Sequence, residues 1–222
     1  MEKERTNNNK EMLSDYAELA ILYAQVFAGP PWNEFTRSIN CDTFFGLETN
    51  VGDMCPNCGD LLEEAYPVEN TISYIGKELS RPNAFLITRF EDENLVGFAW
   101  GFSYENPEKF LKEKYKTEEM RGLLSEVFRQ EWLQGPFYYL SECGVKPEYR
   151  GRGLSNEVSG ELVTMANQLK LPLIMRTNYQ SPMVYVAQRF GMDQIMGPRD
   201  TEIINVLDLE NTSRVLFLRK SQ

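Results

Sequence analysis

Histidine is missing altogether from the 222 residues. With it go the Ser-His-Asp and Cys-His arrangements, the H-E-x-x-H zinc motif and the two-histidine iron site, because each needs imidazole. Acid-base chemistry in this chain therefore falls to Glu, Asp, Tyr, Lys or Cys. No apolar run approaches the ~18 residues needed to cross a bilayer, and Met1–Lys10 lacks the apolar core of a secretory signal. The expected compartment is the cytoplasm, with no membrane partner. Positive charge is scarce as well: 23 Lys+Arg face 33 Asp+Glu, a net charge of −10. That balance argues against a nucleic-acid partner and favours cationic substrates, while leaving room for a local basic spot that holds one anionic cofactor.

What is present suffices for a folded core, with 42% apolar and 12% aromatic residues. At roughly 100–200 residues per domain, the length predicts a single domain over 12–222, preceded by a disordered tail over 1–11. Ser14 is the expected N-cap of a first helix carrying Tyr16, Leu19, Ala20, Tyr23 and Val26 or Phe27 at helical spacing, stopped by Gly29-Pro30-Pro31. Residues 32–66 show little periodicity but hold three of the four cysteines, so they read as an irregular insertion. A second helix is expected over 67–79 and a hairpin over 84–90 and 95–102. A helix from Thr117 follows, then a strand over 137–145, a helix over 154–169 and a strand over 173–177. A short helix over 182–190 and strands near 202–207 and 215–219 complete an α+β order with a mixed sheet.

The stretch Val145-Lys146-Pro147-Glu148-Tyr149-Arg150-Gly151-Arg152-Gly153-Leu154-Ser155 joins the end of a buried strand to an amphipathic helix. Glycines there let backbone N–H groups approach a ligand, and the helix N-terminus adds the positive end of a dipole. Arg150 and Arg152 set two cations beside the same spot. A pyrophosphate fits such a turn; so does a plain helix start whose glycines serve tight packing. Neither a Walker G-K-S/T nor a complete G-x-G-x-x-G is present.

This block resembles motif A of the GCN5-related N-acetyltransferases (GNAT). The family pattern Q/R-x-x-G-x-G/A is met from Arg150 to Leu154, with Ser155 as a small departure. A second block from Asn178 to Met192 is similar to the family's N-x-x-A-x-x-L-Y-x-x-x-G-F: Asn178, Tyr185 and Gly191 match, Pro182 stands near the usual Ala, and Met192 replaces Phe. The resemblance covers most of the chain apart from residues 32–66. It implies a GNAT-type, partly splayed central sheet flanked by helices, here with a Cys-containing insertion after the first helix.

The resemblance also implies acetyl-CoA as cofactor and N-acetylation of a primary amine by direct attack in a ternary complex. The strand segment Glu142-Cys143-Gly144-Val145 then binds the pantetheine arm, with Gly144 at a bulge, and Arg150, Gly151, Arg152, Gly153, Leu154, Ser155 and Asn156 hold the pyrophosphate. Asn178 joins the cofactor site. Tyr185 is the expected general acid toward the departing thiolate, its alternative being an aromatic packed in the core. Glu142 is the expected base, or a counter-ion for the substrate ammonium. Glu64, Asp92 and Glu105 are further acidic candidates. Cys143 lies mid-strand with no His to make a thiolate, so a structural thiol is expected there. The acceptor is a small-molecule or protein amine, and homodimers are common among relatives. A rival reading is a non-catalytic CoA-binding or protein-docking module on a degenerate GNAT fold.

Cys55-Pro56-Asn57-Cys58-Gly59 has the spacing of a zinc knuckle, and Cys41 is a natural third ligand. Ser38 stands where a C-x-x-C pattern would place a fourth, with Asp42, Asp53 or Asp60 as substitutes. Such a zinc ion would be structural; the alternative is three reduced thiols in a loop, a disulfide being unexpected in that compartment. Residues 32–80 are expected to shape the acceptor site, with Phe35, Phe44, Phe45 and Tyr66 as walls and Asp42, Glu48 or Glu64 facing a cation.

Overall fold

A computed structural model describes residues 9–131, 133–197 and 214–221, with side chains from residue 16 onward. They group into two compact units. The first comprises described residues up to Glu78 together with Phe90–Val96 and Gly144–Arg150; the second comprises Leu79–Arg89, Gly97–Cys143 and described residues from Gly151 onward.

The first unit is organised on helix α1, Asn9–Phe27. Its apolar repeat buries Leu19, Ala20, Tyr23, Val26 and Phe27, and the Gly29-Pro30-Pro31 stop ends it as expected. The helix begins upstream of Ser14 and takes in part of the stretch expected to be a tail. Lys10-Glu11-Met12-Leu13 is a run of good helix formers, and an interior serine costs little against it. The insertion is more regular than its composition implied. β1 (Thr36–Ser38), β2 (Thr43–Phe45) and β3 (Glu63–Glu64) form an antiparallel sheet of order β2-β1-β3. Tyr23 meets the edge of Tyr66 with ring centroids 5.0 Å apart, an edge-to-face contact within this unit. Helix α2 spans Val68–Leu79 and buries Thr71, Ile75 and Glu78.

The second unit is built on the greater part of a six-stranded mixed sheet. Its strands are β4 (Phe85–Glu91), β5 (Asn94–Tyr104), β6 (Phe137–Val145), β7 (Leu173–Asn178), β8 (Asp193–Met196) and β9 (Arg214–Arg219), in the order β4-β5-β6-β7-β9-β8. β6 and β7 run parallel, whereas β9 is antiparallel to both β7 and β8. The two-residue period of a strand divides the core cleanly. Phe137, Tyr139, Ile174, Leu216 and Leu218 pack on one face with Phe110 of α3 (Pro107–Lys114) and Leu124 of α4 (Glu118–Gln130). Tyr138, Leu140, Leu173, Met175, Val215 and Phe217 pack on the other with Val158 and Leu162 of α5 (Leu154–Gln168) and Ala187 of α6 (Met183–Arg189).

Two further elements differ from expectation. α3 is an additional helix: Asn106 caps it by accepting from the Lys109 N–H at 3.0 Å, Pro107 sits at its start, and Phe110 and Leu111 anchor it. β8 is an additional strand, in which only Met196 is buried. The strand expected near 202–207 lies outside the described residues. Thr117 caps α4 as expected, accepting from the Met120 N–H at 3.2 Å. No helix among the described residues is long and apolar enough to cross a membrane.

Candidate active site

Within the second unit, β6 and β7 pair only through Tyr138↔Leu173, Tyr139↔Ile174 and Leu140↔Met175, although β7 continues to Asn178. Beyond Leu140 the paired register of the two strands ends, and there the strands part. Glu142 and Cys143 lie on this parted segment, half-buried. Ser159 of α5 donates to Cys143 Sγ at 3.5 Å, and burial pushes the Cys143 thiol up to about 11. A thiol so raised stays protonated near neutral pH, which supports the structural reading of Cys143.

The helix that follows opens on a turn shaped by glycine. Gly151 and Gly153 have φ of 78° and 87°, and a Cβ at either would meet nothing within 4 Å. Packing therefore does not require glycine there; the left-handed backbone does, and the open space above it is available to a ligand. The Gly153 carbonyl accepts from the Asn156 and Glu157 N–H groups at 2.9 and 3.2 Å, starting α5. Leu154 and Ser155 lie in the first turn of α5, where a helix leaves N–H groups without an intrahelical partner, the kind of donor that suits an anion. Asn156 Oδ1 is buried with no hydrogen-bond partner. An orphaned buried acceptor beside a donor-rich helix start fits a bound ligand carrying both anionic and hydroxyl or amide groups.

Asn178 ends β7, and its Oδ1 accepts from the Gln180 N–H at 2.9 Å, so the side chain shapes the turn into α6. Tyr185 on α6 is 75% exposed, which excludes the alternative of a packed core aromatic. α6 packs on β7 and α5, and Cys143, Val184 and Ala187 touch one apolar cluster. The parted strand, the glycine turn and the tyrosine helix are thus carried by elements with a common core.

Gly144, Val145 and Arg150 fall in the first unit. There the Arg150 guanidinium donates to the Val145 carbonyl from Nε and to the Val26 carbonyl from Nη2, each at 3.2 Å. Arg150 therefore braces this segment against α1. Arg152, in the second unit, is exposed.

The first unit also holds a cavity of about 880 Å3, within the roughly 300–1,000 Å3 usual for small-molecule sites. Ile21 of α1 and Phe35, Leu47 and Val51 of the insertion give it apolar walls, with Glu34 and Glu64 among its polar lining. Tyr66 also lines it and donates to Glu34. Of the expected acceptor-site residues, Phe35, Glu64 and Tyr66 reach this cavity. Phe44, Phe45, Asp42 and Glu48 are not among its lining: Phe44 stacks on Tyr66, and Glu48 accepts from the Gly46 N–H. Asp92 sits in the β4–β5 turn, and Glu105 pairs with Lys109 at 3.9 Å. Glu34 and Glu148 are lining carboxylates that sequence reasoning passed over; Glu34 is tied to this wall by its hydrogen bond from distant Tyr66.

Cys41, Cys55 and Cys58 converge in the first unit, with their Sγ atoms all within 4.8 Å of one another.

The sequence model of the acetyltransferase (GNAT) family matches residues 54–192. No curated protein is significantly similar in sequence. Among solved structures, the chain is similar to a Drosophila melanogaster polyamine N-acetyltransferase that catalyses the formation of N-acetylagmatine. The two share 16% identity with a TM-score of 0.55, over 94% of this chain and 96% of that one. It is also similar to a mosquito arylalkylamine N-acetyltransferase-like 5b, at 12% identity and a TM-score of 0.51, over 93% of this chain and 95% of that one. At these identities the likeness speaks for the fold.

Proposed function

Because this chain belongs to the acetyltransferase (GNAT) family, we propose that it moves the acetyl group of acetyl-CoA onto a primary amine by direct attack in a ternary complex. The observation that carries this reading is the parting of β6 from β7 beyond Leu140, in the unit that also holds the Gly151–Gly153 turn. A strand end beyond its paired register suits an extended amide-bearing arm, and the turn offers N–H donors to a pyrophosphate.

Acetyl-CoA supplies an activated thioester. The backbone of Glu142, Cys143, Gly144 and Val145 would hold its pantetheine arm. Gly151, Arg152, Gly153, Leu154, Ser155 and Asn156 would hold its phosphates, with Arg150 bracing the loop and Asn178 fixing the turn that presents α6. Glu142 would take the proton from the substrate ammonium, directly or through water, so that the amine lone pair can form the new C–N bond. Tyr185 would give its hydroxyl proton to the sulfur as the C–S bond breaks and regain one from solvent, while the acylated nitrogen sheds its second proton to solvent. Cys143 remains a thiol throughout.

For the acceptor we infer an amine with an apolar body and positive charge. Apolar walls with three carboxylates, Glu34, Glu64 and Glu148, against two cations, Lys146 and Arg150, in the first unit's cavity support this, as does the acidic net charge of −10. The solved relatives named for polyamine and arylalkylamine acetylation are consistent with it. A reducing compartment, the cytoplasm, suits four unpaired cysteines.

Tyr185→Phe tests the reading. Turnover with acetyl-CoA and an agmatine-type amine should fall by about 10²–10⁴, the usual worth of a positioned acid, with acetyl-CoA affinity preserved. Unchanged turnover would remove Tyr185 from the chemistry. Failure of the wild-type chain to bind acetyl-CoA would remove the cofactor itself.

A further inference from the structure

The insertion of the first unit contains two turns of like construction. In one, β1 passes to β2 through Ser38-Ile39-Asn40-Cys41, and the chain reverses at Asp42 with φ 49°. In the other, Cys55-Pro56-Asn57-Cys58 reverses at Gly59 with φ 81°. Each places a ligand-type side chain at its first and fourth positions, followed by a left-handed residue. Each is also closed from within. The Cys41 N–H donates to Ser38 Oγ at 3.5 Å. The Gly59 N–H donates to the Cys55 carbonyl at 2.9 Å, and the Cys55 N–H to the Asp60 carbonyl at 2.6 Å.

The turns face one another. Cys41 and Cys55 Sγ are 3.7 Å apart, and Ser38 Oγ lies 3.2 Å from Cys58 Sγ. A tetrahedral centre with metal–sulfur bonds of about 2.3 Å has S···S edges of about 3.8 Å, and with an oxygen at about 2.0 Å its O···S edges are about 3.5 Å. These two edges are thus close to those of an S₃O tetrahedron, and all three Sγ atoms lie within 4.8 Å of one another. The cluster is far from a disulfide, whose S–S bond is about 2.05 Å. Ser38 and Cys55 are 0% and 2% exposed, while Cys58 is exposed, so the cluster has a buried base and an open side for entry.

We propose that Cys41, Cys55, Cys58 and Ser38 form a zinc site, with three thiolates and the Ser38 hydroxyl oxygen as ligands. Binding exchanges the thiol protons, released to solvent, for one Zn²⁺; no electron moves and no oxidant is required. With every position filled by protein, the site is closed and structural. It ties β1 and β2 to the second turn, fixing the loop between Cys41 and Cys55 that carries Leu47 and Val51 into the cavity wall.

The test uses the full chain purified with a thiol reductant and without chelator. Elemental analysis should find about one zinc per chain, the stoichiometry of a closed structural site. Exchange for Co²⁺ should give the intense visible d–d bands of a tetrahedral thiolate complex. Cys58→Ser should abolish tight binding, Ser38→Cys should hold the ion more tightly against chelator, and Cys143→Ser should leave the stoichiometry unchanged. Ser38→Ala should alter the Co²⁺ spectrum; an unchanged spectrum would remove Ser38 from the ligand set and overturn the four-residue assignment. The proposal as a whole falls if wild-type protein carries no more zinc than a Cys41→Ser/Cys55→Ser variant and gives no thiolate–Co²⁺ spectrum. It also falls if intact mass shows the loss of two hydrogens that marks a disulfide. None of these readouts depends on acetyl transfer, so failure here is distinguishable from failure of the proposed reaction.

Discussion

Replacing Gly153 by Ala and, separately, by Asn separates two reasons for a glycine at the start of α5. Gly153 has φ 87°, and an added Cβ would touch nothing within 4 Å, so overpacking contributes no cost. What Ala loses is conformational: an L-residue in the left-handed region costs about 1–2 kcal/mol, equivalent to roughly 2–8 °C of Tm in a chain of this size. Asn tolerates that region better, so Gly153→Asn should recover most of the stability. Acetyl-CoA binding should not recover with it. If the phosphates rest against this backbone, any side chain occupies the open space they need, and both variants should lose at least tenfold in affinity, about 1.4 kcal/mol. A thermal-shift titration reads both quantities. Wild-type protein at about 100 times Kd gains ~2.7 kcal/mol, or roughly 5–11 °C, and each variant shows its intrinsic Tm without ligand. An Ala variant with unchanged Tm would refute the strain argument. An Asn variant that binds acetyl-CoA as tightly as wild type would refute the cradle, leaving Gly153 a purely conformational requirement.

Glu142→Gln keeps the shape of the parted strand but removes its base, so kcat should fall by about 10²–10⁴ with acetyl-CoA affinity retained; unchanged kcat would assign the proton to solvent. Cys143→Ala should keep most of the rate, and initial-rate plots should intersect, because a thiol pushed up to about 11 by burial does not accept the acetyl group; parallel plots with a trapped acetyl-enzyme would contradict this. In the second unit, partial desolvation works against ionised Glu113, but hydrogen bonds from Arg81 and from the Tyr104 hydroxyl, each at 2.8 Å, outweigh it and hold the carboxyl below its ordinary value. A depressed carboxyl stabilises the fold above its unfolded pKa, and that contribution is lost as pH falls through the folded value. Glu113→Gln should therefore lower Tm near neutral pH and flatten its decline between about pH 5 and pH 3; a parallel decline in both proteins would show that Glu113 contributes nothing to the acid limb.

Chemistry carried by neighbours along the chain was legible, and chemistry carried by neighbours in space was not. β6, α5 and β7 declare themselves because period-two and helical repeats fill both faces of the sheet. α3 has one buried pair, Phe110 and Leu111, too little for a periodic signal, although the Asn106-Pro107 start could have revealed it. β8 exposes Asp193 and Gln194 and buries only Met196, so it has no alternation to read. The strands of the insertion are three, three and two residues long, shorter than any repeat, yet its C-x-x-C spacing survives as chemistry. The cavity is legible only in part: Phe35, Glu64 and Tyr66 are expected at an acceptor site, whereas Ile21 and Glu34, from separate segments, are not. Arg150 shows both sides. Its charge beside two glycines points to an anion, but its guanidinium is engaged by the carbonyls of Val145, close in sequence, and Val26, remote from it. Two donors committed to backbone leave Arg150 fewer for phosphate, so its first effect on an anion at this turn is to fix the loop that presents the N–H groups. In the proposed reading the glycine turn and the first turn of α5 supply the direct contacts, which is why Gly153, more than Arg150, is the residue whose replacement distinguishes a cofactor cradle from an ordinary helix start.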